Sequence, residues 1–248
     1  MRHAVWSKLS KFFSGDLKQS TLLFVLFPLV VGSYFGVLGL AVVLFPGAYD
    51  WRTMSISKLL YPRLNPQFHY VAAIGIAATG LLMIPFAGYI HRRSRTVCPV
   101  AAAVAAVLFA GGCICLIFAG LVSSHPLQGG SSVPRLHERL ARAAAIGIGV
   151  GSIIFNACAI KDYFNPAAAT KCYRRSLIIS WSLLTLPAIL VLVLRLVMFA
   201  RLPSLDPFYQ TWRGSIAWHL GFWEWVGSAA VILFLLCSAW LLPEHAGD

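Results

Sequence analysis

The chain has 248 residues, of which 59% are hydrophobic and 11% are charged, and its mean hydropathy is +0.77. This composition excludes an ordinary water-soluble domain and is typical of a helical membrane protein. The formal net charge of +12 does not indicate nucleic-acid binding, because the 20 Lys and Arg residues fall almost wholly in short connectors and at the ends of apolar segments. We therefore predict no nucleic-acid partner.

Residues 1–19 precede the first apolar segment and form a separate predicted unit. Apolar residues such as Trp6, Leu9 and Phe13 recur there at helical spacing, with lysines among the polar positions. The pattern predicts an amphipathic helix that lies in the membrane interface. The apolar segment that follows is too long for the hydrophobic part of a cleavable signal, so we expect residues 1–19 to be retained.

Residues 20–248 are predicted to form one all-α domain, a polytopic bundle of six transmembrane helices. Each apolar stretch is long enough to cross a bilayer, and Pro28 predicts a kink in the first. The predicted spans cover about residues 21–45, 69–90, 99–121, 140–160, 177–198 and 215–242. Small residues spaced four apart predict helix faces for close packing, in the bundle or with a protein partner, at Gly32, Gly36, Gly147 and Gly151.

The orientation follows from basic residues in the short connectors. Such residues precede the first span and follow the second and the fourth, so both termini are predicted to be cytoplasmic. We expect a multi-pass protein of a bacterial inner membrane or a eukaryotic endomembrane. All six cysteines lie in apolar runs or in connectors on the cytoplasmic side, and no disulfide framework is predicted.

The densest polar stretch between two spans runs from Tyr49 to Tyr70, and the predicted orientation places it on the outer side. It contains Asp50 and His69, and the connector before the fourth span adds His137. Nucleophilic catalysis needs a hydroxyl or thiol beside an oriented base, but no nucleophile-elbow glycines surround the serines of this loop. An outer-face lipid hydrolase or transferase would use Asp50, His69, His137 and Glu224, and its support is the one-sided clustering of histidines and carboxylates.

Two charges within predicted spans suggest a binding site. Arg195 and Glu224 lie at comparable depth below the outer interface, where an unpaired charge costs about 2.5–3.5 kcal/mol. Either they face each other across a polar cavity, or Arg195 extends to the interface and Glu224 is a structural anchor. Because guanidinium groups suit phosphate and carboxylate, the first interpretation predicts an amphiphile site. Its residues would be Arg139, Arg142, Arg195, Arg213, His219 and Glu224.

The sequence predicts no metal and no cofactor. The adjacent residues His137 and Glu138 lack a second histidine at the spacing of an HExxH zinc motif. A six-span diheme cytochrome needs histidine pairs near both membrane faces, whereas only His91 lies near the inner face.

Two short motifs resemble the FRAG/DRAM/Sfk-type six-span membrane proteins and their bacterial relatives. One is the outer loop SISKLLYPRLNPQFH, in which Ile56 and Ser57 precede Asn65 and Pro66; the other is PRLHERLARA, in which His137 opens the fourth span. The loop lacks the glycine that often follows the Ile-Ser element in that family. The resemblance implies a membrane protein of lipid handling or membrane regulation, without a defined catalytic mechanism.

Three functions fit these patterns. The leading hypothesis is an accessory or regulatory protein whose outward polar cavity binds a membrane lipid or another amphiphile. The second is the outer-face lipid hydrolase or transferase. The third is a structural subunit of a larger membrane complex, held by the small-residue helix faces.

Overall fold

The computed structural model describes residues 2–123, 133–164 and 206–242, together with positions 179 and 182. Within these residues all regular structure is helical and there is no strand, which confirms the all-α prediction for this part of the chain. The predicted fifth span, including Arg195, lies outside the continuous described ranges.

Seven helices form the described fold. They are α1 (Arg2–Phe13), α2 (Gln19–Val43), α3 (His69–Ser94), α4 (Pro99–Ser123), α5 (Val133–Phe164), α6 (Asp206–Arg213) and α7 (Leu220–Leu241). Short 3₁₀ helices lie at Ile56–Leu60 and Ile216–Trp218. Among the described residues, five helices are long and apolar enough to cross a membrane, namely α2, α3, α4, α5 and α7. The chain is therefore a multi-pass helical membrane protein, and the membrane position of α1 stays a prediction.

Helix α2 continues through Pro28. Wider π-helical turns lie on both sides of the proline, at Leu22–Leu26 and Gly32–Gly36. A proline removes one i→i−4 hydrogen bond, and π-type turns are one way in which a helix accommodates such a gap. The irregularity predicted at Pro28 is thus spread over two flanking turns, and the second turn contains the buried Tyr34.

Glycines bring α2, α3 and α4 into backbone contact. A Cβ atom at Gly75 of α3 would lie 2.7 Å from the carbonyl oxygen of Ser33 in α2. At Gly80, also in α3, it would lie 2.7 Å from that of Cys113 in α4. Such contact is how helices associate in lipid, where hydrophobic burial supplies little attraction between them.

The same device joins α4 to α5. A Cβ atom would lie 2.7 Å from the Leu108 carbonyl oxygen at Gly147 and 2.8 Å from the Ala105 carbonyl oxygen at Gly151. These two predicted packing glycines are therefore occupied by α4 and do not present a free face to a protein partner. At Gly32 and Gly36, by contrast, a Cβ atom would meet nothing within 4 Å in the described part of the chain.

Helix α7 returns antiparallel to α2. The side-chain amide of Gln19, the first residue of α2, donates to the carbonyl oxygens of Ala239 at 2.8 Å, Trp240 at 2.9 Å and Leu242 at 3.2 Å. These carbonyls close the last turn of α7, where a helix leaves its carbonyl groups without intrahelical partners. The beginning of the first span thus caps the end of the last described one.

The end of α1 is fixed to the C-terminal end of α3, which is named the inner end because the predicted orientation places it on the cytoplasmic side. Gly15 has a positive φ of 67°, and any Cβ there would overlap the main-chain nitrogen of Tyr89. Next to this contact, the Arg92 guanidinium pairs with the Asp16 carboxylate at 2.8 Å. These two contacts therefore fix the position of the N-terminal segment on α3.

The α4–α5 contact gives a test with a matched control on one helix. Gly147→Ala should destabilise the protein by about 1–3 kcal/mol, because the new methyl group meets backbone atoms of α4. Gly149→Ala should be neutral or stabilising, since a Cβ there meets nothing within 4 Å among the described residues and alanine favours helix. Thermal unfolding in detergent measures the difference. Equal midpoints for the two variants would contradict the packing.

Candidate functional site

The carboxylate of Glu224 joins α7 to the outer loop. Its Oε2 accepts a hydrogen bond from the Ile56 main-chain N–H at 2.5 Å, and the Ser57 N–H also faces the carboxylate. These N–H groups open the 3₁₀ helix Ile56–Leu60, whose N-cap residue Ser55 makes no side-chain capping bond. Glu224 therefore supplies from another helix the negative cap that a helix N-terminus favours.

Close backbone contact and two aromatic side chains complete this junction. A Cβ at Gly221 would overlap the carbonyl oxygen of Met54, so only glycine allows α7 to approach the loop this closely. The Tyr49 hydroxyl donates to the same Met54 oxygen at 3.1 Å, and the Trp225 indole N–H donates to the Tyr49 oxygen at 3.4 Å. Burial raises the pKa of Tyr49 to about 12, so its phenol stays protonated at physiological pH.

A second polar contact lies deeper between α2 and α7. The hydroxyl groups of Tyr34 and Ser228 are hydrogen-bonded, and Ser228 donates to the main-chain oxygen of Glu224 at 2.6 Å. Beside them the Phe35 ring stacks on Trp225, with centroids 6.3 Å apart. Polar groups that would be costly in hydrocarbon thus satisfy one another across the helix pair.

Asp50 belongs to a tight turn at the edge of this junction. Its carboxylate accepts from the Arg52 N–H at 3.0 Å and from the Thr53 hydroxyl at 2.9 Å. These two hydrogen bonds, the first above all, lower the pKa of Asp50, and the positive charges of Arg52 and His219 act in the same direction. Asp50 therefore holds the turn.

Two arginine side chains lie over indole rings on the same surface. The Arg52 guanidinium is 5.8 Å from the centroid of Trp51, and that of Arg213 is 5.5 Å from the centroid of Trp218. The Trp51 ring also lies 6.3 Å from that of Phe222, which connects the loop to α7. Both arginines are exposed, so the outer end of α7 has a cationic and aromatic surface.

The candidate histidines contact backbone oxygens. Nδ1 of His69 is 3.2 Å from the Asn65 carbonyl oxygen, and Nδ1 of His137 is 2.9 Å from that of Ala119. Within the described ranges, no hydrogen bond joins any two of the four catalytic candidates, Asp50, His69, His137 and Glu224. No group of three or more potential metal ligands occurs there either. The enzyme hypothesis therefore stays a prediction.

The arginines predicted on the fourth span point to a different role. Arg142 pairs with Glu138 on its own helix at 3.3 Å, and both side chains are exposed. Arg139 is exposed as well. Such a surface pair contributes little stability, and it joins Arg142 to a side chain of its own helix α5. Arg213 and His219, by contrast, lie at the junction with the outer loop.

Sequence reasoning missed buried charges at the inner end of the bundle. Arg93 of α3 is 7% exposed and Asp162 of α5 is 3% exposed. The Arg93 guanidinium lies 3.4 Å from the centroid of Tyr89 and donates to the Tyr89 carbonyl oxygen at 3.1 Å. From the sequence, Arg93 was interpreted only as one of the basic residues that indicate which side of the membrane a connector faces. Its position one helical turn after an aromatic residue was the available indication of burial.

Comparison of the chain with protein-family models, with curated proteins and with solved structures gives no match. The resemblance of the outer loop to the FRAG/DRAM/Sfk-type proteins therefore stays a prediction. The structure itself gives Ile56 and Ser57 of that motif a definite task, since their N–H groups face Glu224.

The cap can be tested by two substitutions at Glu224. Glu224→Ala should lower stability by about 1–3 kcal/mol, because it leaves buried N–H groups of the loop without an acceptor. Glu224→Gln should lose less, since its amide oxygen still accepts. Thermal unfolding in detergent is the measurement, with Glu138→Ala as an exposed-carboxylate control that should change stability by about 0–1 kcal/mol. A Glu224→Ala protein as stable as the control would exclude the capping role.

Proposed function

We propose that the outer end of the bundle binds the headgroup of an anionic amphiphile, such as a membrane phospholipid, and that the protein has an accessory or regulatory role. The observation that carries this proposal is the pair of exposed guanidinium groups, Arg52 and Arg213, each held over an indole ring beside the start of α7. One comes from the loop and the other from α6, and in this proposal the headgroup binds between them.

The chemistry of this surface suits a phosphate. When one face of a guanidinium rests on an indole, its N–H edges still point outward and donate to phosphate oxygens in a forked geometry. Tryptophan and tyrosine are enriched at the membrane–water interface, where headgroups lie. The rings of Trp51 and Phe222 would then contact the upper acyl chain, which gives the site an amphipathic character.

In this proposal Glu224 supports the site and does not bind the headgroup. Its carboxylate already accepts hydrogen bonds from the loop N–H groups. The negative charge of this carboxylate would repel an anionic headgroup placed against it. The cap fixes the loop that carries Trp51 and Arg52 against the helix that carries Phe222. In this proposal Arg213 and His219 belong to the ligand surface, and Glu224 supports it.

Lipid retention tests the proposal. The double variant Arg52→Ala/Arg213→Ala should lose about 2 kcal/mol of binding free energy, which is roughly a 30-fold loss of affinity, because each basic residue near an anionic lipid surface contributes about 1 kcal/mol. Native mass spectrometry of protein exchanged into detergent with phosphatidylglycerol measures the retained fraction.

Two comparisons make the lipid test specific. Arg63→Ala removes an exposed arginine from the same loop and should leave retention unchanged. Retention of phosphatidylcholine should respond weakly to the double variant, because its headgroup carries no net charge. Equal loss in the Arg63→Ala protein, or no loss in the double variant, would reject the site.

We also infer that the chain crosses the membrane six times. α5 is antiparallel to α4, and α4 to α3, so α5 ends at the inner end of the bundle. α7 begins at the outer end, where Gly221 meets Met54. Residues 165–205 connect these two ends and include the apolar segment 177–198, which supports a further crossing.

The six-span topology predicts that both termini face the same compartment. A fluorescent reporter that folds only in the cytoplasm, fused in turn to each terminus, should be active in both fusions. Five crossings would put the termini on opposite sides, and exactly one fusion would then fluoresce.

A further inference from the structure

Helices α4 and α5 meet in a fixed antiparallel register. Gly151 packs on Ala105, with a Cβ position 2.8 Å from the Ala105 carbonyl oxygen. Seven residues are two helical turns, which return to the same helix face. Seven residues before Ala105 is Cys98 (105 − 7), and seven after Gly151 is Cys158 (151 + 7). The register therefore places these two cysteines at the same level on facing sides.

The side chains agree with the register. The two thiols are close enough to interact, and neither is in a disulfide. Cys158 is 2% exposed, whereas Cys98, which precedes the first residue of α4, is partly exposed. Lys161, one turn beyond Cys158, adds a positive charge beside the pair. A soluble reagent would therefore reach Cys98 first, and Cys158 is placed to react second.

We propose that Cys98 and Cys158 are a redox-active thiol pair, which a low-molecular-weight disulfide such as glutathione disulfide converts to an intramolecular disulfide. The close backbone approach set by the glycines suits the short Cα separation that a disulfide needs. The bond would lock together the inner ends of α4 and α5. This site is separate from the outer lipid surface and does not depend on it.

The reaction proceeds in two exchanges. The Cys98 thiolate attacks one sulfur of the reagent, forms a mixed disulfide and releases one reagent thiol. The Cys158 thiolate then attacks the Cys98 sulfur and releases the second reagent thiol. The two protein thiols lose two electrons and two protons in total, and the reagent disulfide gains them as two thiols. Reduction by excess glutathione reverses both steps.

The predicted orientation indicates the redox environment of the two thiols. The inner end is expected to face the cytoplasm, where the glutathione pool keeps thiols reduced. The pair would then be reduced at rest and would close when that pool becomes oxidised.

Thiol counting on the full-length protein in detergent tests the proposal. The chain has six cysteines, so the reduced protein should take six maleimide–polyethylene glycol labels after denaturation. After incubation with glutathione disulfide, the wild type should take four labels, carry no glutathione at Cys98 or Cys158, and show a Cys98–Cys158 cross-linked peptide by mass spectrometry. Its thermal midpoint should rise by several degrees, and dithiothreitol should reverse the change.

Variants identify the partners. Cys158→Ala should hold a stable glutathione adduct on Cys98, because the resolving thiol is gone, and Cys98→Ser should form neither adduct nor disulfide at Cys158. Cys115 is a partly exposed thiol elsewhere on α4. The Cys115→Ser variant should form the Cys98–Cys158 bond as the wild type does. Thermal unfolding of each reduced variant verifies its fold, and the two single variants substitute for each other if one does not fold. Six labels on the oxidised wild type, or a Cys98 disulfide with another cysteine in Cys158→Ala, would overturn the proposal.

Discussion

The described fold depends on hydrogen bonds that hold helix α7 at both ends. At its start the Glu224 carboxylate accepts from the outer loop, and at its end the Gln19 amide donates to the last carbonyls. In hydrocarbon there is no water to replace such bonds, so each broken bond leaves a polar group exposed at several kcal/mol. The orientation of α7, and with it the outer surface, follows from these two contacts.

The two halves of the bundle are held in different ways. Helices α3, α4 and α5 meet through glycines, which allow backbone contact over long stretches, and the resulting dispersion attraction is insensitive to charge. Helix α7 meets α2 through the Tyr34–Ser228 hydroxyl pair and the Phe35–Trp225 ring stack. It meets the outer loop through the Glu224 carboxylate and the Trp225 indole. The first half therefore packs through close backbone contact, and the second half has its polar contacts near the start of α7. A ligand surface at the start of α7 is consistent with that division.

Much of the fold was predictable from hydropathy because a membrane span needs a length of apolar chain that little else requires. Five of the predicted spans coincide with described helices to within a few residues, except that α5 begins at Val133, well before the predicted residue 140. Hydropathy did not predict this extra length, because the sequence around His137 is polar. Its charged residues are tolerated there because this part of the helix projects to the interface. Side-chain partners were not predictable in the same way. Glu224 was recognised as a costly charge, but its hydrogen-bond partners within the described residues are main-chain N–H groups, which have no sequence signature.

The small-residue patterns show the same limit. The pattern left packing within the bundle and a protein partner open for all four glycines. Gly147 and Gly151 pack on α4, whereas a Cβ at Gly32 or Gly36 would meet nothing within 4 Å among the described residues. Spacing defines a face, whereas the partner of that face depends on the arrangement of the other helices. The inner charges Arg93 and Asp162 were overlooked for a related reason, because a basic connector and a helix end have the same composition.

The contact between Gln19 and the end of α7 also has a consequence for biogenesis. Gln19 is synthesised early, yet its three carbonyl acceptors lie between positions 239 and 242 and leave the ribosome after nearly all of the chain. The loop helix at Ile56–Leu60 likewise waits for Glu224. Until the last helix is made, the Gln19 amide and the N–H groups of the loop cannot form the contacts to α7 that the folded protein has. Completion of the last helix is the event that closes the structure.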